Sequence, residues 1–181
     1  KIFPSEDDHP PLLYSDEWET PRPIKGYVNS AGLEDSPFIT PDGNTLFFFY
    51  TPSAAAPVEK QITDQVTGIY QSNKAGGVWE EPQRLVLSEG KSPTLDGCPF
   101  YQDGVLWFCS IRGGNYRDID MWIATLKNEQ WVDIVNAGEY LNKTLGIGEM
   151  HVHPDGSILY FHRTDDPQNE YDLWELHRKG A

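Results

Sequence analysis

Only two cysteines, Cys98 and Cys109, occur in 181 residues, so no disulfide framework organises this chain. A chain of this length buries a core without one. Basic residues are also scarce: 14 Lys and Arg stand against 28 Asp and Glu, a formal net charge of −14. Such a field repels phosphate backbones and anionic headgroups, which sets nucleic acid and membrane surfaces aside as partners. Solubility alone accounts for the charge, with a cation site or a cationic partner as the alternatives. No segment approaches the roughly 18 uninterrupted apolar residues that a spanning helix needs. Long stretches of strong helix formers are few, so little helix is expected. Lys1 opens no signal peptide, an absence that does not separate cytoplasm from periplasm, because a mature exported protein has lost it. What the chain has instead is aromatic and turn-forming residues: six Trp, nine Tyr, eight Phe, 16 Gly and 14 Pro. That mixture predicts short strands joined by tight turns in one all-β domain over residues 1–181.

The strands recur. Trp18, Trp79 and Trp131 are each followed, 24 residues later, by an Asp-Gly pair at Asp42, Asp103 and Asp155. EWETPRPI from Glu17 parallels VWEEPQRL from Val78. An aromatic strand follows each Asp-Gly: TLFFFY to Tyr50, VLWFCS to Ser110 and SILYFH to His162. Another follows in turn: GIYQS from Gly68, DIDMWIATL from Asp118 and YDLWELH from Tyr171. The Asp-Gly pairs supply the positive backbone angles of hairpin turns, so each unit is expected to be a four-stranded antiparallel meander. The units span approximately residues 17–77, 78–129 and 130–181. Near-continuous apolar runs such as LFFFY indicate sheets covered on both faces, as in stacked blades. The first unit carries an insertion, TPSAAAPVEKQITDQV, between two of its strands, and the second has Gln102 where the others have Pro41 and Pro154.

The segments WETPRPI, LEDSPFITPDGNTLFFF, GGVWEEPQRL, DGCPFYQDGVLWFCS, DIDMW, EMHVHPDGSILYFH and YDLWEL resemble the WD-repeat-like β-propeller repeat of TolB-type proteins. The resemblance implies three β-propeller blades per chain and favours export, periplasmic or secreted. It says little of function, because such propellers host binding proteins, lyases, hydrolases and scaffolds. Three wedges do not surround an axis. The third unit stops where another Trp strand is due, and the chain opens on a Trp strand with no unit before it. A six-bladed homodimer is therefore expected, each chain lending Glu17 to Ile24 to the partner's last blade and covering an open sheet edge. The alternatives are a fragment of a longer propeller or a degenerate blade.

The resemblance also places the loops after alternate strands on one face. That face would present Thr51 to Val66, Arg112, Asn115 and Tyr116 of RGGNYRD, and Arg163 and Asp165 of RTDDPQNE, together with the acids Glu34, Asp35, Asp96 and Glu149. Loops on a rigid scaffold are where binding residues sit, so Arg112, Asn115, Tyr116, Arg163 and Asp165 are candidate ligand contacts. Guanidinium groups at Arg112, Arg117 and Arg163 suit carboxylate or phosphate oxygens, or else pair with the chain's own acids. Exposed aromatics such as Tyr116 or Tyr140 suit stacking on sugar rings. Asp118, Asp120 and Asp172 read as structural turn residues.

The third unit concentrates histidine. If its turn pairs His153 with Ile158, Glu149 lies across from His162, and strand alternation sets His151 on the same face. Glu149, His151 and His162 are candidate ligands for one divalent transition metal per chain, zinc, manganese or iron. The plainer reading of each His is a hydrogen-bonded core or interface residue. A two-residue turn at Asp103-Gly104 sets Cys98 opposite Cys109 at a hydrogen-bonded pair, a geometry unfavourable for a disulfide, so two buried thiols are expected. No nucleophile elbow, phosphate loop or paired CxxC is present. The leading expectation is a non-catalytic propeller that binds a glycan, peptide or protein on its loop face. A metal-assisted hydrolase or lyase and an assembly scaffold are the alternatives.

Overall fold

The computed structural model describes residues 22–88, 92–163 and 172–179. Among the described residues three curled antiparallel sheets follow one another along the chain, with one short α-helix and one π-helical turn, so the all-β expectation holds. The first sheet orders β1 (Leu33–Ile39), β2 (Thr45–Thr51), β3 (Gly68–Ala75) and β4 (Val78–Trp79), and β5 (Gln83–Arg84) continues along β3 beyond β4. Pro82, which has no N–H to give the ladder, lies between the two pieces of that edge strand. The insertion between β2 and β3 holds α1 (Val58–Thr63). The second sheet is the meander β6 (Leu95–Gln102), β7 (Val105–Ile111), β8 (Asp120–Lys127) and β9 (Gln130–Asn136). After the π-helical turn Tyr140–Leu145 comes the third sheet, β10 (Met150–Val152), β11 (Ile158–Arg163) and β12 (Asp172–His177).

Two of the Trp strands pair with the sheet that precedes them in the chain. Trp79 pairs with β3 and Trp131 with β8, so each of these two Trp strands is the outer strand of the sheet before it, not the first strand of the next. The third sheet accordingly has three strands among the described residues, and no partner lies along the outer side of β12. Trp18 and residues 17–21 of the expected exchanged strand lie outside the described residues. The adjoining segment runs along the outer edge of the first sheet, where Tyr27 N donates to Trp79 O and Trp79 N to Lys25 O, both at 3.3 Å.

Turn chemistry explains the register. Asp103 and Gly104, with φ of 51° and 83°, form the two-residue turn that the Asp-Gly pair predicts. The other two Asp-Gly pairs sit in matching four-residue loops: Thr40 N donates to Thr45 O and Gly43 N to Thr40 O, and His153 N donates to Ile158 O and Gly156 N to His153 O. The expected pairing of His153 with Ile158 is therefore present. Two hairpins also share a β-bulge. Ser36-Pro37 intervenes between the pairs Asp35–Phe49 and Phe38–Phe47, and Cys98-Pro99 between Gly97–Cys109 and Phe100–Trp107. Ser36 and Cys98 take left-handed φ values of 48° and 51°, uncommon for residues with a Cβ.

The continuous apolar runs pack in two directions. Phe47 and Ile69 of the first sheet meet Leu106, Phe108 and Ala124 of the second. The alternate residues of β7, Trp107 and Cys109, face the other way and join Met121, Ile147, Leu159 and Phe161 against the third sheet. Leu46 and Phe48 turn away from the second sheet and are covered by Val28 and Trp79. The second sheet thus has neighbours on both faces, as its sequence predicts.

Two measurements check this construction. Phe108→Ala, at a fully buried side chain, should cost about 3–5 kcal/mol in urea unfolding. At the third hairpin, hydrogen bonds from the side chain and backbone of Ser157, and then from His153, hold the Asp155 carboxyl down at about 2. Its folded pKa is depressed, so its contribution to stability is present above the ordinary carboxyl range and is lost as pH falls through about 2. An NMR titration of Asp155 should show that low midpoint, and Ser157→Ala should raise it.

Candidate functional site

Two clefts of nearly equal size open at opposite ends of the sheets. One, about 610 Å³, is bounded by the hairpin turns Thr40–Asp42, Gln102–Asp103 and Pro154. The other, about 600 Å³, lies at the loop end and is lined by Cys98, Cys109, Arg117, Asp118, Gly146–Glu149 and His162. It holds the chain's thiols together with two acids, a guanidinium and an imidazole, and is the better candidate. A smaller cavity of about 200 Å³ adjoins it, sharing Cys98, Cys109, Ile119 and Glu149 and adding Asp35, Ser36 and Phe49.

Glu149 is the meeting point of all three sheets. Its Oε1 accepts from Ser36 Oγ at 3.3 Å and from Cys98 Sγ at 3.5 Å. Ser36 and Cys98 are the bulge residues of β1 and β6, and Glu149 immediately precedes β10, so corresponding points of the three repeats converge. Along the same three strands, Phe38 meets Phe100 edge-on at 5.0 Å between ring centroids, and Phe100 meets the His151 ring at 4.7 Å. The bulges make this possible: an extra residue in β1 and β6 turns Ser36 and Cys98 out of the ladder and toward Glu149.

The expected metal triad does not assemble. Glu149 does lie across from His162, whose backbone N donates to Glu149 O at 3.2 Å. Yet the His162 Nε2 lone pair accepts the Glu149 backbone N–H at 3.3 Å, and the ring lies so close over Gly148 that a Cβ there would collide with it. His151 sends its ring to Phe100 rather than toward Glu149. No group of three His, Cys, Asp or Glu among the described residues is placed to hold a metal ion, and these residues do not fit the transition-metal reading.

The expected ligand contacts divide. Arg112 is a structural residue. Its guanidinium donates to Asp96 Oδ1 at 2.6 Å, Ser110 Oγ at 2.6 Å and Leu87 O at 2.7 Å, and it lies over the rings of Trp122 and Phe108. Both side chains of the pair are buried, at 7% and 4% exposure, so this fork has no donor pointing at solvent ligand space. Asn115 is likewise structural: Nδ2 donates to Ser110 O and Asp118 O, and Oδ1 accepts from Trp122 Nε1. Tyr116 is exposed in the same loop. Arg163 lies over the Trp174 ring, and Asp165 is outside the described residues. Asp120 is the structural turn residue that was expected, accepting from Tyr116 N, Arg117 N and Asn136 Nδ2 while fully buried.

Two further residues gain importance, Arg117, already a candidate for an anionic ligand, and Asn142, which the repeat pattern does not reveal. Arg117 lies against Gly146 on the cleft wall, and its guanidinium has no hydrogen bond or ion pair among the described residues. Asn142, buried in the π-helical turn, accepts from Met121 N and donates to Met121 O, pairing with the edge of β8 as a strand would. The thiols are not a regular hydrogen-bonded pair, because the bulge sets Gly97 opposite Cys109 and turns Cys98 beside it. Both are free, Cys109 buried and Cys98 half-buried. The Cys109 thiol, burial and the Glu149 carboxylate all push the Cys98 thiol well above its ordinary range.

No protein-family model matches the chain, and neither a curated protein nor a solved structure shows significant similarity to it.

The two arginines of one loop should separate in mutagenesis. Arg112→Ala leaves Asp96 buried without its partner and should cost about 3–5 kcal/mol in urea unfolding. Arg117→Ala should stay within about 0.5 kcal/mol of the parent protein.

Proposed function

We propose that this chain is a non-catalytic, ligand-binding β-propeller module that takes a sugar bearing an acidic group in its loop-end cleft. The observation that carries the reading is Arg117. Its guanidinium, without a hydrogen-bond or ion-pair partner among the described residues, stands on the wall of a 600 Å³ cleft, in a loop whose neighbouring residue, Tyr116, is 49% exposed. A guanidinium fork binds carboxylate oxygens in a bidentate manner, and a phenol ring stacks on the apolar face of a sugar. Asp118 and Glu149 in the same cleft offer acceptors for hydroxyl groups. Catalysis is poorly served by the same residues: the Cys109 thiol, burial and the Glu149 carboxylate disfavour the Cys98 thiolate, so any attack by it is slow, and the His162 Nε2 lone pair is occupied. An oligogalacturonate titrated calorimetrically into the protein should bind, and Arg117→Ala should lose that binding with an unchanged thermal unfolding transition. Equal binding by the variant, or none by the parent protein, would sink the proposal.

The propeller reading draws support from the convergence of β1, β6 and β10 and from the sandwiching of the second sheet. The third sheet lacks what the other two have. The face of β11 and β12 that carries Tyr160 and Leu173, 39% and 89% exposed, has no covering sheet among the described residues, and the outer edge of β12 is unpaired. A second copy of the chain would supply both, its first sheet covering that face and its Glu17–Ile24 segment, the sequence counterpart of the Val78–Leu85 edge strand, completing the ladder. Native mass spectrometry of the full chain should then find two copies, and Leu173→Asp should yield one. A parent protein of single-chain mass would overturn the closed six-bladed ring.

A further inference from the structure

The cleft contains a pair of thiols that the ligand-binding reading does not use. Gly97, not Cys98, stands opposite Cys109, and the left-handed backbone at Cys98 turns its side chain out of the ladder. Cys98 Sγ then lies 3.5 Å from the Glu149 carboxylate, and its side chain packs against the cluster that contains Cys109. Cys109 Sγ has Met121 Sδ behind it at 3.4 Å. Both cysteines line the loop-end cleft and the cavity that adjoins it, so a small molecule in either space reaches them.

We infer that Cys98 and Cys109 form a reversible intrachain disulfide by exchange with a low-molecular-weight disulfide that enters the cleft. A hairpin without a bulge would set the two residues as a hydrogen-bonded cross-strand pair, where disulfide geometry is poor; the bulge removes that constraint. Cys98, the more exposed, attacks first. Its sulfur bonds to one sulfur of the reagent, the reagent's S–S bond breaks, and one thiolate departs. The Cys109 sulfur then attacks the Cys98 sulfur, breaking the mixed disulfide and releasing the second thiolate. The two protons given up by the cysteines pass to the two departing thiolates. The pair is oxidised by two electrons and the reagent is reduced by two.

Glu149 acts on this exchange as a brake. Its negative charge opposes formation of the Cys98 thiolate, which is the attacking species. Oxidation also has a structural consequence: Cys98 loses the hydrogen it donates to Glu149, and one of the two side-chain hydrogen bonds, from Ser36 and Cys98, that join that carboxylate to the other sheets is removed.

The test uses the folded, full chain with oxidised glutathione as the probe, followed by intact-mass and peptide-level mass spectrometry. The expected product has lost two hydrogens, carries no adduct, and links the Cys98 peptide to the Cys109 peptide within one chain. Cys109→Ser, which has no resolving thiol, should instead retain one glutathione on Cys98. Glu149→Gln should oxidise several-fold faster than the parent protein at the same pH. Near-UV circular dichroism establishes that each variant is folded, and the parent result decides the pairing even if a variant is not. Two cysteines that remain open to iodoacetamide after the treatment, or a disulfide found only between chains, would overturn the inference. A Glu149→Gln protein that oxidises no faster would remove the brake. None of these outcomes depends on whether a sugar binds.

Discussion

The whole structure depends on apolar strands that have no polar face to give to water. Leu46 through Phe48 and Leu106 through Phe108 alternate sides along their strands, yet both sides are apolar. A sheet built from them is stable only between two other layers. The second sheet satisfies that constraint fully, with Phe108 turned toward the first sheet and Cys109 and Met121 toward the third. The first sheet does so by laying Val28 and Trp79 over Phe48. Stacking is therefore the condition on which the first two sheets exist.

Where stacked sheets bring their inner strands together, polar groups must find partners across sheet boundaries. Glu149 does this with Ser36 and Cys98, and Gln102 does it at the other end by donating to Pro154 O at 2.8 Å. Buried charge is handled differently. Arg112 and Asp96 are both nearly inaccessible, and the cost of desolvating them is offset by Ser110, Leu87 and two aromatic rings. The same loop then passes from the buried Arg112 to the exposed Arg117. One end of RGGNYRD anchors the sheet, and the other is available to solvent and ligand.

The contrast between those two arginines shows where pattern reading stops. Both are guanidinium groups in a polar, glycine-containing loop, and nothing local marks one as buried. The difference lies in Asp96 and Leu87, 16 and 25 residues away in sequence, which reach Arg112 only in the folded sheet. The histidines teach the same lesson from the other side. Alternation and turn length correctly set Glu149 across from His162, but whether an imidazole is a ligand depends on its lone pair, and here the Glu149 N–H takes it. The bulge at Ser36-Pro37 and Cys98-Pro99 was open to a reading from the repeated S-P-F and C-P-F, and counting outward from the turn without it misplaced Cys98 by one step.

The amino-acid sequence by itself determined the all-β class, the hairpins at the three Asp-Gly pairs, the demand for cover on both sheet faces and the structural role of Asp120. Each of these is written in a few neighbouring residues, through positive φ, two-residue periodicity or a carboxylate beside its own turn. Tertiary structure alone decided that the Trp79 and Trp131 strands close the preceding sheets, that Arg112 is buried while Arg117 is exposed, that Asn142 pairs with the backbone of β8, and that Ser36, Cys98 and Glu149 converge. Ser36 and Glu149 are 113 residues apart. A contact of that range depends on how three sheets stack, and no local spacing encodes it.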